Sequence, residues 1–137
     1  MKPALIDTDI LSYFFRGDEQ VATRFKAYIA EHERINLSII TYYEILSGLR
    51  HRDAHRQLSN FMEFVEENTI VPLTKVAVEY AAAIYAETRS QGTPVDDIDL
   101  LIAGIAMEHG WTLVTHNLSH FEKIAGLDIE DWSANQP

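Results

Sequence analysis

The sequence predicts an α/β fold: a three-layer α/β/α sandwich with a central parallel sheet covered by helices on both faces. Three observations predict it. Short apolar stretches containing β-branched residues, at 3–6, 35–40, 69–73 and 111–114, have strand character. Longer segments with apolar residues at helical spacing separate them. Strands joined through helices need crossover connections, and such connections favour a parallel sheet with both faces covered.

Taken in order, the strand at 3–6 leads into a helix over 8–15, and Gly17-Asp18 marks a turn before a helix over 19–32. The strand at 35–40 precedes a helix over 41–51, whose Thr41-x-x-Glu44 spacing reads as a capping box, and a helix over 53–67 follows. After the strand at 69–73 come a helix over 75–91 and the loop Gly92-Thr93-Pro94. The helix over 97–109 is apolar nearly all round, so it is expected inside the molecule. Gly110 separates it from the strand at 111–114, and a short helix over 118–123 and a last short strand at 127–130 complete the chain. With no repeat, low-complexity tract or linker among its 137 residues, and 47% of them apolar, a single domain spanning 1–137 is expected.

Composition narrows the function. The longest apolar runs, such as 100–107, fall far short of the roughly 18 residues a membrane span needs, and the N-terminus lacks a basic-then-apolar signal pattern. A soluble, cytoplasmic protein without membrane contact is expected. The absence of cysteine excludes disulfides and thiolate metal sites, leaving Asp, Glu, His or Asn to hold any metal. Oxygen-rich sites favour hard ions such as Mg2+ or Mn2+. The net charge of −10 opposes broad electrostatic attraction to nucleic acid. That objection weakens where carboxylates gather in one pocket, because bound divalent cations reverse the local sign. The same charge suits a basic protein partner.

In open parallel sheets, ligands bind at the carboxyl edge, where strands end and helices begin. Asp7 follows Ala4-Leu5-Ile6 directly and is a metal-ligand candidate there, or alternatively the N-cap of the next helix. Glu44 is a capping residue by spacing, but the apolar run Ile45 to Leu49 can bury its helix and fix where its carboxylate points. Asp99 lies in the first turns of the apolar helix, where a carboxylate needs a partner such as a cation. Asp96 and Asp97 are placed as cap and dipole-stabilising residues of the same helix, with Asp96 a helper at most. Asn117 follows the strand ending at Val114; its amide is suited to orienting a water or to capping the short helix. His116 and His120, four apart but without a third ligand nearby, read as surface or packing residues. Arg50 and Arg52 offer contacts to an RNA backbone or form a solvated helix face.

Four segments in order carry a family resemblance: Leu5-Ile6-Asp7-Thr8-Asp9-Ile10-Leu11, Ser38 through Leu49 around Glu44, Asp99 through Ala106, and Leu113 through Phe121 around Asn117. Together they resemble PIN-domain proteins, particularly the VapC-type toxins of prokaryotic toxin-antitoxin pairs, along essentially the whole chain. The resemblance implies a ribonuclease dependent on Mg2+ or Mn2+, with Asp7, Glu44 and Asp99 as metal ligands and Thr8, Thr115 and Asn117 in support. It also implies an RNA substrate, a cognate antitoxin protein and a homodimer. Many family members carry a fourth acidic residue where this chain has Asn117, which bears on whether one metal or two is held.

Two other readings compete. Asp7-Thr8-Asp9 after a strand also resembles the Asp-x-Asp nucleophile motif of haloacid-dehalogenase phosphatases, with Asp96-Asp97 as the late acidic pair. Against it, that pair follows Gln91-Gly92-Thr93-Pro94-Val95 and not an apolar strand, and 137 residues leave little room for a cap. A catalytically inactive PIN-like module that binds RNA or protein would accord with Asn117 and the negative charge.

Overall fold

The computed structural model describes residues 1–133. In chain order the elements are β1 (Ala4–Ile6), α1 (Thr8–Phe15), α2 (Glu19–His32), β2 (Asn36–Ser38), α3 (Ile39–His51) and α4 (His55–Glu67). They continue as β3 (Thr69–Val71), α5 (Lys75–Ser90), α6 (Asp97–His109), β4 (Thr112–Val114), α7 (Leu118–Phe121) and β5 (Ile129–Glu130). The five strands form one sheet in the order β3-β2-β1-β4-β5, and every neighbouring pair is parallel. This is the predicted three-layer arrangement.

The pleat sorts side chains into two cores, because successive residues of a strand face opposite sides. Leu5 and Leu113, paired across β1 and β4, pack with Ala81, Ile84, Ile102 and Ile105 of α5 and α6. Ile6 and Val114, the next pair, face the other way onto Ile10 and Leu11 of α1, Val21 and Phe25 of α2, and Phe61 of α4. Shifting β1 by one residue would exchange these faces, so the register is fixed by both layers at once.

Strands β3 and β5 and helix α7 are each shorter than expected by two residues, and two further boundaries depart from the sequence reading for a local reason. The strand expected over 35–40 stops at Ser38, whose hydroxyl accepts a hydrogen bond from the Thr41 backbone N–H at 3.0 Å and so caps α3. Ser38 therefore replaces Thr41 as the helix start: Ile39 and Ile40, apolar and β-branched, look like strand but form the first turn. Helix α4 begins at His55, two residues later than expected, because Asp53 has φ of +55°, the left-handed region that an α-helix cannot include. No helix among the described residues is long and apolar enough to cross a membrane.

Helix α6 is buried along Leu100 and Ile102 to Ala106, which fits its nearly continuous apolar sequence. Its closest neighbour is α5, and Gly104 sets the separation: a Cβ added there would lie 2.3 Å from the Ala77 carbonyl oxygen. Backbone cannot yield as a flexible side chain would, so Gly104→Ala forces the two helices apart. We expect a loss of roughly 1–3 kcal/mol, the usual cost of overpacking, read as a Tm lower by several degrees. An unchanged Tm would show that α5 and α6 separate freely. Ser38→Ala should cost about 1 kcal/mol through the missing cap, measured as a lower urea midpoint at unchanged m-value.

Candidate active site

The sheet order places β1 between β2 and β4, with the chain moving outward through β2 and β3 before returning to the other side as β4. That reversal creates a crevice at the carboxyl edge, where ligands of such sheets bind. Asp7 follows β1 directly and lies at this crevice. Its Oδ1 accepts from the Thr8 backbone N–H at 2.8 Å, and its Oδ2 accepts from the Thr115 hydroxyl beyond β4 at 2.8 Å. The residue is thus both the N-cap of α1 and a member of the crevice.

Asp7 is only 5% exposed. Burial pushes its carboxyl up to about 7, with the nearby Asp9 charge and, more weakly, the Asp99 charge adding to the rise; the Thr115 and Thr8 hydrogen bonds partly offset it. Asp9, one half-turn into α1, accepts from the His116 backbone N–H at 3.0 Å, and burial holds its carboxyl above the ordinary range. Sequence reasoning gave Asp9 no role outside the phosphatase comparison. The available signal was its position two residues after Asp7, which places it in the same helical turn that opens onto the crevice.

The opposite wall comes from α3. Glu44 Oε1 accepts from the Thr8 hydroxyl at 2.7 Å, and the Thr8 and Thr41 hydroxyl oxygens lie 3.0 Å apart. The capping role read for Glu44 is therefore corrected: with Ser38 as the cap, Glu44 sits in the second turn and is held across the crevice by α1. Asp99, half-buried in the first turn of α6, has its carboxyl raised chiefly by burial, with the Asp96 and Glu44 charges contributing; His120 opposes the rise. His120 Nδ1 is 3.2 Å from Asp99 Oδ2, a pairing of residues 21 apart that no local pattern announces. His116 likewise meets Asp131 at 3.0 Å, so both histidines face carboxylates at the surface.

Asp7, Asp9, Asp96, Asp99 and Glu44 thus share one electrostatic neighbourhood. Among the described residues, no three of the ligand-type side chains stand close enough to form a ready-made metal cage. Asp96 occupies the N-cap position of α6 without a side-chain capping bond. Asn117 makes no side-chain cap to α7 either; its side chain is exposed, while its backbone N–H donates to the Thr115 hydroxyl at 3.1 Å. Ile10, Leu11 and Leu49 belong to the core, whereas Phe15 is exposed. Asp96-Asp97 follow a loop after α5 with no intervening strand, which removes the structural context of the phosphatase motif.

All the crevice donors are oxygens, none of the five carboxylates is ion-paired to Lys or Arg among the described residues, and burial, with a smaller part from mutual repulsion, raises Asp7 and Asp99. Such a donor set fits a hard divalent cation.

Residues 4–127 match the PIN domain family. The chain is 32% identical to the tRNA(fMet)-specific endonuclease VapC of Salmonella typhimurium, over 93% of this chain and 96% of that protein. It is 27% identical to ribonuclease VapC1 of Haemophilus influenzae, over 94% of this chain and 97% of that one. Among solved structures, the DNA-bound VapBC complex of Salmonella typhimurium superposes with a TM-score of 0.86 at 30% identity, covering 96% of this chain and 99% of its counterpart. VapBC2 of Rickettsia felis, bound to a promoter DNA fragment, shares the fold with a TM-score of 0.87 at 23% identity, covering 94% of this chain and 98% of its counterpart. Sequence order, sheet topology and relatives matched almost end to end agree: the chain belongs to the PIN-domain family, among its VapC ribonucleases.

Proposed function

We propose that this VapC-type chain is a Mg2+- or Mn2+-dependent ribonuclease that hydrolyses RNA phosphodiester bonds in the cytoplasm as the toxin of a toxin-antitoxin pair. The observation that carries the reading is the buried Asp7 carboxyl, raised to about 7 at the carboxyl edge of the sheet with Asp9 and Asp99 beside it. Burying clustered carboxylates is costly unless a cation joins them.

Asp7, Glu44 and Asp99 would hold the ion. When bound, it would polarise the scissile phosphate and acidify the attacking water, the chemistry divalent ions supply in phosphodiester hydrolysis. The remaining groups orient these ligands. Thr115 fixes one oxygen of Asp7, the Thr8 hydroxyl fixes Glu44, and His120 steadies Asp99 from the surface. The exposed Asn117 amide stands at the rim, free to orient solvent at the phosphate. Asp96 adds negative charge behind Asp99.

The partner would be a cognate antitoxin whose basic segment enters the acidic crevice, where a guanidinium matches a carboxylate in shape and charge. Solved VapBC complexes among the structural neighbours support this assignment. A homodimer fits the exposure of Val76, Val78, Tyr80 and Tyr85 along α5, and sedimentation of the pure chain checks it.

The deciding experiment incubates the pure chain with total RNA and Mn2+, with and without chelator, and maps the new ends. Discrete cleavage that chelator abolishes is expected, and its absence would overturn the reading. Asp7→Asn should abolish cleavage. It should also stabilise the metal-free chain. The folded protein holds the Asp7 proton up to about 7, whereas the unfolded chain releases it near 3.8, so the linked stability is complete below 3.8 and lost as pH rises through 7. At about 1.4 kcal/mol per unit, ionised Asp7 costs the fold on the order of a few kcal/mol. In chelator at pH 8, Asp7→Asn should therefore melt several degrees above the parent, and the gap should close toward pH 4. A variant that melts lower at both values would make Asp7 a structural cap instead.

A further inference from the structure

Beside the acidic crevice, a cavity of about 580 Å3 opens between α1, α3 and α4, and it shares Thr8 and Glu44 with the crevice. Its size lies within the roughly 300–1,000 Å3 of sites that take a small organic ligand. The wall away from the carboxylates has the opposite character. Arg16 and Arg52 both line it, and neither is ion-paired to a carboxylate among the described residues. Arg16 rests over the Tyr13 ring, 5.0 Å from its centroid. Each arginine is a helix C-cap, of α1 and α3 respectively. The helix dipole favours cations at both places, but it does not require two guanidiniums to border one cavity next to the site of phosphate chemistry.

Phe15 adds an aromatic surface. It is 41% exposed, yet its ring is held edge-on against Phe61 and Phe64 at 5.9 and 5.2 Å, so it is oriented before any ligand arrives. Gln57 and Asn60 of α4 contribute two exposed amides. Gly48 leaves the cavity wall bare: a Cβ there would come 3.4 Å from Arg52 Nη1. In a chain of net charge −10, this is a place where positive charge without a carboxylate partner, an aromatic ring and amide groups meet.

We propose that this cavity seats an RNA nucleotide flanking the scissile bond, with its base against Phe15 and its edge toward Gln57 and Asn60, and its phosphate between Arg16 and Arg52. The assignment rests on the ribonuclease reading of the adjoining crevice, since Thr8 and Glu44 belong to both. Arginines suit phosphate by shape and charge. Aromatic stacking suits single-stranded RNA because every base presents a π-face. Amides give the seat a means of preferring one base over another.

The test uses a fluorescein-labelled, mixed-sequence 12-nucleotide single-stranded RNA, titrated by anisotropy in chelator against the parent, the double variant Arg16→Ala/Arg52→Ala, and Phe15→Ala. Affinity should fall about tenfold or more for the arginine pair, with a salt dependence shallower by about 0.7 for each phosphate no longer neutralised. It should fall about fivefold or more for Phe15→Ala. Mn2+ affinity by calorimetry should stay at the parent value in both, which also shows that the variants are folded. With total RNA and Mn2+, Phe15→Ala and the cavity-filling Gly48→Leu should lose base preference at one position beside the cut. A parent that binds no RNA, or variants with unchanged RNA affinity and cleavage pattern, would overturn the proposal. So would variants that weaken only the antitoxin complex, which would make the cavity a protein partner's seat. Failure of the ribonuclease reading has a different signature: the parent leaves total RNA uncut with Mn2+, while the anisotropy titration still decides whether the cavity takes RNA.

Discussion

The Asp7 carboxyl is delivered by the central strand to a position nearly closed to water, and the rest of the molecule is arranged around that placement. Two donors make burial tolerable, the backbone N–H that opens α1 and the Thr115 hydroxyl reaching across from the end of β4. Positive potential at the N-terminus of α1 favours negative charge at the same point. These contacts lower the cost without cancelling it, as the raised carboxyl shows. The fold therefore carries a local penalty at its functional edge, and the two apolar cores on either side of the sheet offset it.

Each layer contributes one wall of the crevice. From the β2 side, Ser38 starts α3 early enough to put Thr41 and Glu44 against Thr8 of α1. From the β4 side come Thr115 and the His116 backbone N–H, which anchor Asp7 and Asp9. Helix α6, pinned against α5 through Gly104, brings Asp99 from the opposite layer. Just past Glu44 the sign changes to the guanidiniums of Arg16 and Arg52. Acid and base are kept apart by a few residues of α1 and α3, which allows both to persist without forming ion pairs with each other.

What could be read from the sequence follows from the range of the interactions. Element order was legible because it depends on local periodicity: short stretches containing β-branched residues at 4–6, 69–71 and 112–114, and the apolar run of α6. Asp7, Glu44 and Asp99 were legible because each sits at or just past the strand-to-helix junctions or loop ends that such a sheet gathers. The start of α3 was not, since Ile39 and Ile40 favour a strand locally and only the Ser38 hydroxyl and tertiary packing make them helical. Nor was the contact of His120 with Asp99, or of His116 with Asp131, because each joins surface residues from different elements. The cavity is also tertiary: Arg16 and Arg52 cap the ends of α1 and α3 and Asn60 lies on α4, with nothing in their spacing to relate them.

The hydrogen bond between Asp7 and Thr115 spans 108 positions of the chain. During synthesis, β1 emerges ahead of the other four strands but belongs at the middle of the sheet, and its β4 neighbour is made only after β2 and β3. A nascent chain halted before residue 112 therefore lacks one side of the crevice, and its first aspartate has no distant hydroxyl to hold it. The topology thus delays assembly of the site until β4 has been made, a form of timing supplied by strand order alone.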